Sequence, residues 1–320
     1  MRFKKYTSLA FLLLIAAFAG FKVQAQPQPV GEPQILLKQD GINFQAPVWS
    51  PDGNTIAVTA DRYLGIWLAN ADGSNLKQLT DEDAGYGLSW SLDSKSILTR
   101  LNTVQNRRRN HAIVIYHTDG KDPQLVSEFR PKMEALPKWA QYGEKVVLIQ
   151  NDQIETFDSW LDMPDQFKSK PSQAFYVLKS NEIAKGMIPT NSTENISPFE
   201  DATYLNLEVS PDGQKLAFEV YGSNLYVMNV DGSELVDLGK ANRPDWSPDS
   251  RYVVASVSED NGYNITKGDL FALSIDGNHR INLTDQTDLI AQNPDWSSDG
   301  SKIAFDVPNE GAIYVINIQQ

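Results

Sequence analysis

The residue types that most often carry out catalysis are scarce and scattered in this sequence. The chain has three histidines, His111, His117 and His279, and no cysteine. No segment has the form GxSxG or HExxH, so the serine-hydrolase elbow and the zinc-peptidase motif are absent. The absence of cysteine excludes a Cys nucleophile, a thiolate metal site and a disulfide framework. We therefore expect a protein that is not an enzyme and that needs no cofactor.

The clearest binding chemistry in the sequence is a run of three basic residues, Arg107, Arg108 and Arg109. A guanidinium group can hold a carboxylate or a sugar acid through two parallel hydrogen bonds. His111 follows the run closely. The alternative is that the run is a solvated loop tip without a ligand.

Charge limits the partners that the protein can take. The chain has 28 basic and 41 acidic residues, and four of the basic residues but no acidic residue lie within residues 1–25. The remainder carries 24 − 41 = −17 charges. A nucleic-acid partner or an anionic lipid surface needs a basic face, so we expect the protein to bind neither.

The N-terminus has the three parts of an export signal. Arg2, Lys4 and Lys5 are followed by an apolar stretch over residues 9–21, and Val23-Gln24-Ala25 offers small residues for cleavage after Ala25. The apolar stretch is shorter than the roughly 20 residues that span a bilayer. We expect a signal peptide over 1–25, a short Pro-rich leader over 26–30, and a periplasmic or secreted mature protein. An uncleaved membrane anchor is the alternative.

The rest of the chain, residues 31–320, is dominated by a repeat. WSPDG at 49–53 recurs in variant form at 90–94, 139–143, 209–213, 246–250 and 296–300. The spacings between successive copies are 41, 49, 70, 37 and 50 residues. The recurring tryptophans and aspartates are Trp49, Trp90, Trp139, Trp246, Trp296, Asp52, Asp93, Asp212, Asp249 and Asp299. Turn formation accounts for the aspartates, because Pro and Asp favour tight turns.

Short runs of β-branched and aromatic residues follow each motif and indicate strands. The Asp-Gly pairs at 72–73, 119–120, 231–232 and 276–277 indicate hairpin turns. Four antiparallel strands in each of six repeats predict an all-β, six-bladed β-propeller, with a seven-bladed ring as the alternative. The last repeat ends after its third strand, so Gln34–Leu37 is expected to supply its fourth strand and close the ring.

These motifs resemble the TolB-type six-bladed propeller family over residues 31–320. The WSPDG turn, the later Asp-Gly turn and the borrowed last strand carry the resemblance. It implies an envelope protein that binds a protein partner, as the family binds the peptidoglycan-associated lipoprotein. Residues 26–40 leave no room for the α/β domain that precedes the propeller in TolB itself. A stand-alone propeller is therefore expected, and the resemblance does not identify its partner.

Two turn types of uniform length fall on one face of such a propeller, so the variable loops collect on the other, where binding is usual. The expected partner-binding residues lie in these loops: Arg62, Tyr63, Arg107, Arg108, Arg109, His111, Trp160 and Tyr263. The segment 151–172 is expected to join the second and third strands of repeat three and to stand beside the arginine run. Trp160 would then cap the channel, anchor a partner or pack locally.

The residue before each Trp-type position is expected on the innermost strand. Lys138, Glu208, Asp245 and Asp295 are therefore candidates for lining the central channel. Three carboxylates there can hold a structural cation, or they can serve only in hydrogen bonding between blades.

Taken together, these patterns favour a non-catalytic, monomeric scaffold that binds an envelope protein. The alternatives are a propeller that binds a small ligand or a carbohydrate, and a propeller enzyme acting on acidic sugars.

Overall fold

The computed structural model describes residues 25–105, 107–151, 153–162, 174–179, 181–188 and 192–319. Within these ranges the chain forms 26 β-strands in seven antiparallel sheets. Two short 3₁₀ turns, Asp61–Tyr63 and Gln141–Gly143, lie between strands. The predicted signal peptide lies outside the described residues except for Ala25.

Each sheet is one blade of a propeller, and we number the blades in chain order. Blades 1 and 2 comprise β2 (Phe44–Trp49), β3 (Thr55–Ala60), β4 (Ile66–Asn70), β5 (Lys77–Thr80), β6 (Ser89–Trp90), β7 (Ser96–Gln105), β8 (Arg108–His117) and β9 (Gln124–Leu125). Blades 3 and 4 comprise β10 (Lys138–Ala140), β11 (Lys145–Gln150), β12 (Gln153–Asp158), β13 (Ala174–Lys179), β14 (Glu182–Met187) and β15 (Ser192–Asn195).

The remaining strands form blades 5, 6 and 7. They are β16 (Tyr204–Val209), β17 (Lys215–Val220), β18 (Leu225–Asn229), β19 (Val236–Gly239), β20 (Asn242–Trp246), β21 (Tyr252–Asp260), β22 (Ile265–Ser274), β23 (Arg280–Asn282), β24 (Gln292–Trp296), β25 (Lys302–Val307), β26 (Ala312–Gln319) and β1 (Gln28–Leu37).

The prediction of six blades is wrong, because the third repeat contains two blades. Residues 153–158, expected to be part of a long loop, form β12 and pair with β11. Strands β13 to β15 then form a separate sheet. The 70-residue spacing between motifs is long enough for two blades, but the second of them has no Trp-Ser-Pro-Asp-Gly segment to mark it.

The predicted closure of the ring is confirmed. Strand β1 pairs antiparallel with β26 and becomes the fourth strand of blade 7, so the first strand of the chain completes the last sheet. The strand begins at Gln28, inside the segment that we expected to be a Pro-rich leader. Its pairing covers the outer edge of β26, which removes an open edge.

The recurring aspartates form the turns that were predicted for them. The Asp52 carboxylate accepts hydrogen bonds from Ser50 Oγ at 2.6 Å and from the Asn54 N–H at 3.0 Å. Ser50 Oγ in turn accepts the Thr55 N–H at 3.0 Å. The same Ser–Asp pair occurs at Asp93, Asp212, Asp249 and Asp299. These carboxylates are therefore occupied in fixing the turn between the first two strands of their blades.

The recurring tryptophans connect neighbouring blades. The indole N–H of Trp90 donates to the Val48 carbonyl at 3.1 Å, and that of Trp139 donates to the Ser89 carbonyl at 3.1 Å. Trp246 makes the equivalent bond to the Glu208 carbonyl at 3.3 Å. In each case the acceptor directly precedes the Trp-type position of the preceding motif. In these three cases the ring fills the space between blades while its polar edge is satisfied. By contrast, Trp296 donates to the Gly300 carbonyl of its own turn at 3.1 Å, and the buried Trp49 Nε1 has no hydrogen-bond partner among the described residues.

Candidate binding site at the channel mouth

A backbone irregularity in the innermost strands shapes the central channel. In five blades, the residue three positions before the Trp-type position has a positive φ; these residues are Ala46, Gly87, Asn206, Arg243 and Asn293. In blades 1, 5, 6 and 7 the pairing register shifts at this point, which marks a β-bulge. A bulge bends its strand and redirects side chains. The strands therefore curve around the channel and expose backbone N–H groups to neighbouring blades.

The channel encloses a cavity of about 400 Å³, lined by the inner strands of blades 1, 2, 5, 6 and 7. Its two sides differ in chemistry. Blades 5, 6 and 7 contribute Glu208, Asp245 and Asp295, whereas blades 1 and 2 contribute neutral residues such as Val48 and Leu88. Lys138, the fourth residue expected to line the channel, lies near enough to Glu208 to lower the pKa of that carboxyl, although burial raises it more.

Two of these acids bind the next blade around the ring. Asp245 Oδ2 accepts the Trp296 N–H at 2.5 Å, and Asp295 Oδ1 accepts the Trp49 N–H at 2.7 Å. Burial raises the pKa of both carboxyls, and repulsion raises it further, from Glu208 at both aspartates and from Asp245 at Asp295. Among the described residues, no group of three or more His, Asp or Glu side chains is placed to hold a metal ion.

Two buried carboxylates on the second strands of blades 5 and 7, Glu219 and Asp306, also connect neighbouring blades. Asp306 on β25 accepts hydrogen bonds from the Asn293 side chain at 2.7 Å and from the Ala46 N–H of blade 1 at 3.2 Å. Glu219 on β17 accepts the Asn206 side chain and the Arg243 N–H of blade 6 in the same way. Burial raises the pKa of Asp306 to about 7. Both acids therefore link neighbouring blades through hydrogen bonds.

A smaller pocket of about 180 Å³ opens beside the channel mouth, and we call it the rim pocket. Its wall is built from the turn after β3, the connection between blades 1 and 2, and the hairpin of β7 and β8. The lining residues are Arg62, Tyr63, Asp83, Tyr86, Arg100, Asn102 and Arg109. Tyr63 also lines the central cavity, so the two spaces adjoin.

Aromatic and polar contacts hold the rim pocket together. The Tyr63 and Tyr86 rings meet edge to face with centroids 4.9 Å apart, and the Arg100 guanidinium lies 5.2 Å from the Tyr86 centroid. Asp83 accepts the Asn102 side-chain N–H at 2.8 Å and pairs with Arg109 at 3.4 Å. The pocket therefore combines three cations, one carboxylate and two aromatic rings.

The structure brings some of the predicted binding residues together and separates others. Arg62, Tyr63 and Arg109 line the rim pocket, and His111 lies next to it, with Nδ1 2.6 Å from Asn102 Oδ1. Burial lowers the pKa of His111, and the nearby arginines lower it further. Arg107 and Arg108 are exposed near the tip of the hairpin and do not line the pocket.

The predicted position of Trp160 is wrong. Trp160 lies two residues after the end of β12, which runs away from the loop face, so it lies on the face of the uniform turns. The Ser159 N–H bonds the Glu144 carbonyl at 3.1 Å, in the turn between β10 and β11. The indole is 69% exposed. Trp160 therefore neither caps the channel mouth nor shares a surface with the arginines, because the segment 151–172 contains a strand that reverses the chain.

Tyr263 lies at the tip of the β21–β22 hairpin of blade 6, on the loop face, and is 94% exposed. Blade 7 separates this blade from blade 1 in the ring. Tyr263 is thus exposed on the loop face but does not contribute to the rim pocket.

The three histidines occupy different places. His111 and His117 lie at opposite ends of β8, where they pair with Asn102 and Ser96 respectively. His279 follows the β22–β23 turn and contacts the Gln26 side chain at 3.0 Å. Ser96 Oγ lies 3.1 Å from His117 Nδ1, but Ser96 is buried at the start of its strand and offers no surface to a substrate.

Sequence reasoning missed four residues of the rim pocket: Asp83, Tyr86, Arg100 and Asn102. The position of Arg100 in the repeat could have identified it from the sequence. It lies ten residues after Trp90, and the equivalent positions in blades 1, 5, 6 and 7 hold smaller or acidic residues, namely Thr59, Glu219, Ser256 and Asp306. A cation at a largely buried strand position is unusual and marks a site.

No helix in the described part of the chain is long and apolar enough to cross a membrane. No family model matches the sequence, and no curated protein matches it either.

Solved structures do resemble the chain. TolB from Acinetobacter baumannii aligns with a TM-score of 0.47 and 13% identity, over 87% of this chain and 64% of that one; the chain thus spans about two thirds of the length of TolB. The Cps50 (Swd1) β-propeller domain of Myceliophteria thermophila aligns with a TM-score of 0.62 and 12% identity, over 90% of this chain and 100% of that one. At this identity the second likeness shows the fold alone. The chain is therefore an all-β propeller of antiparallel, mostly four-stranded blades.

Proposed function

We propose that this chain is an exported, non-catalytic propeller that binds a protein of the cell envelope through the loop face, at the mouth of its channel. The observation that carries the proposal is the rim pocket. It gathers three guanidinium groups and two tyrosine rings in a mature chain with a net charge of −17. Arginine and tyrosine are enriched at the energetic centres of protein interfaces.

The cellular location rests on two sequence observations. Residues 1–25 have the composition of a secretory signal, and the WSPDG and Asp-Gly turns resemble those of the TolB-type family. Members of that family act in the periplasm by binding an envelope lipoprotein. We extend only the location and the kind of role to this chain, which we propose to act as a monomer.

Binding is favoured over catalysis by the arrangement of the titratable groups. The recurring aspartates are occupied in turns, and the buried acids of blades 5 to 7 join blades. The two histidines of blade 2 lie at opposite ends of one strand. A second function, the binding of a small ligand or carbohydrate, is favoured by the 400 Å³ central cavity, which adjoins the rim pocket.

Capture from an envelope extract tests the binding role. The mature chain is immobilised as the parent, as Arg62→Gln/Arg109→Gln, and as the matched control Arg107→Gln/Arg108→Gln. We expect the first double variant to lose most captured protein, because it removes two cations of the rim pocket. The control removes the same number of charges from two exposed positions at the tip of the β7–β8 hairpin, outside the rim pocket, and should capture as the parent does. Equal capture by all three proteins would overturn the proposed function.

Export is tested separately by N-terminal sequencing of protein from the periplasmic fraction. The proposal expects a mature terminus at Gln26. Intact Met1 in the membrane fraction would contradict it.

A further inference from the structure

We propose that the rim pocket is a carboxylate-binding site, in which the guanidinium groups of Arg62 and Arg100 hold the anion and Tyr86 supports it. The inference deepens the proposed function and rests on it for the source of the carboxylate, which is an acidic side chain or chain end of the partner. A free organic acid offers the same chemistry, and the experiment below distinguishes the two sources.

The charges in the rim pocket are unbalanced. Three guanidinium groups face a single carboxylate, that of Asp83. Asp83 is already engaged by Arg109 and by the Asn102 side chain. Within the described ranges, neither Arg62 nor Arg100 forms an ion pair or hydrogen bond through its guanidinium group. The pocket thus retains about two uncompensated positive charges, while the protein around it is acidic.

Arg100 lies where its guanidinium group is partly buried. Its side chain projects from a strand whose neighbouring residues are buried, and burial lowers its pKa although the guanidinium stays charged. In the described part of the chain, its buried Nε atom has no hydrogen-bond partner. Burying a charged donor without a partner is costly. A bound anion would supply both the missing acceptor and the missing charge.

The size of the pocket limits the kind of anion that fits it. A volume of about 180 Å³ equals roughly six water molecules at their share of the liquid, about 30 Å³ each. This is enough for a carboxylate with a few attached carbons. The net positive charge of the pocket attracts monoanions and dianions alike, so the shape of the anion and not its charge must select the ligand. A planar carboxylate also matches the fork of a guanidinium group.

The walls of the pocket are fixed before any ligand arrives. Backbone hydrogen bonds join the Gly85 N–H to the Tyr63 carbonyl at 2.9 Å and the Asn102 N–H to the Asp83 carbonyl at 2.8 Å. Gly85 is required here, because a Cβ at this position would lie 2.0 Å from Thr59 Oγ1. A preformed site loses little entropy when it binds a ligand.

The test measures binding of defined probes to the mature chain at low ionic strength, by isothermal titration calorimetry and by NMR. Sodium acetate and galacturonate represent free acids. A blocked pentapeptide, acetyl-Gly-Gly-Asp-Gly-Gly-amide, represents a partner's side chain, and its Asp→Asn analogue is the control. We expect saturable binding of at least one carboxylate probe and none of the Asn peptide. Tighter binding of the peptide than of acetate would identify a partner as the source, and the reverse would identify a free acid.

The variants are Arg62→Gln, Arg100→Gln and the matched controls Arg107→Gln and Arg108→Gln. We expect the first two to weaken probe binding at least tenfold and the controls to change it less than twofold. Arg62 lies on an exposed turn, so its variant keeps the test valid if Arg100→Gln fails to fold. The proposal is overturned if no carboxylate saturates, if Arg62→Gln binds as the parent does, or if phosphate and sulfate bind as tightly as the carboxylates.

The outcomes also separate this inference from the proposed function. Carboxylate binding that depends on Arg62, with envelope capture unchanged in the same variant, would support the site and overturn the role in partner binding. Loss of capture in the Arg62→Gln/Arg109→Gln variant, with no binding of any probe, would support the role in partner binding and overturn the carboxylate site.

Discussion

Two charged regions line the adjoining central cavity and rim pocket, and they differ in how their charges are compensated. On the side of blades 5 to 7, Asp245 and Asp295 each accept a backbone N–H from the following blade. On the side of blades 1 and 2, Arg62 and Arg100 have no such partner in the described part of the chain. The contrast teaches that these acids join neighbouring blades, whereas no ion pair or hydrogen bond among the described residues compensates the two guanidinium groups.

The largest effect is expected from breaking an acidic joint between blades. Asp306→Ala removes the acceptor of the Asn293 side chain and of the Ala46 N–H, and should lower the free energy of unfolding by about 2–4 kcal/mol. Urea unfolding at pH 5, where the parent's Asp306 is protonated in the folded state, measures it. Glu219→Ala should reproduce the loss, because Glu219 makes the same bridge in blade 5. A loss below about 0.5 kcal/mol would contradict the assignment of a joint.

The second prediction concerns pH. The pKa of Asp306 is about 7 in the folded protein, against an ordinary value of 3.8. The folded state therefore keeps a proton that the unfolded state releases, so this group's contribution to stability falls as pH rises from about 3.8 to 7. The change amounts to at most about 4 kcal/mol, at 1.36 kcal/mol for each pKa unit.

The control for the pH prediction is Asp306→Asn, which cannot titrate. In urea unfolding between pH 4 and 8, the free energy of unfolding of the variant should rise relative to that of the parent up to about pH 7. Above that pH the difference between the two should be constant. A difference that stays level from pH 4 to 7 would contradict the raised pKa.

The third prediction addresses the basic side. Arg100→Gln should change the free energy of unfolding by less than about 1 kcal/mol, because it removes a cation that has no ion pair and retains the aliphatic stem. Chemical denaturation compares the variant with its parent and with Asp306→Ala. A loss as large as that of Asp306→Ala would show that Arg100, like the acids, serves the architecture.

The smallest effect is expected from Trp160→Ala. The indole is 69% exposed on the face of the uniform turns, so its removal should cost less than about 0.5 kcal/mol and should not change probe binding. Calorimetric titration of the variant with the same carboxylate probes checks this. Weaker binding would mean that the turn face also contributes to recognition, which would break the separation of the two faces.

Sequence periodicity was sufficient for five of the blades. In blades 1, 2, 5, 6 and 7, a Trp-type position, a Ser–Asp turn and short apolar strands recur, whereas blade 3 has the Trp-type position without the Ser–Asp turn. Successive Trp-type positions are 37 to 50 residues apart except for the interval of 70 residues between blades 3 and 5. Blade 4 has no such motif, so its strands could be assigned only to the preceding repeat. The interval of 70 residues carried the correct signal, since a blade needs only about 40–50 residues.

The rim pocket was only partly predictable, for a reason that lies in strand register. Arg62, Tyr63 and Arg109 are in or beside variable loops, where binding is expected. Arg100 and Asn102 lie within a strand, and whether such side chains meet a loop of the preceding blade depends on tertiary packing. The position of Trp160 was predicted wrongly for a different reason. The sequence pattern did not reveal β12, and this strand places Trp160 on the face of the uniform turns and not on the loop face.

The closure of blade 7 determines how the ring responds to a pulling force. Gln28 and Gln319 are partners at one end of the β1–β26 ladder, so both strand ends lie side by side. Antiparallel hydrogen bonds run perpendicular to the strands. A force that separates these two ends therefore loads the first pair before the next, from Gln28 toward Leu37, and the pairs open in succession as in a zipper. A ring closed in this geometry yields mechanically at its seam while the joints between the other blades remain unloaded.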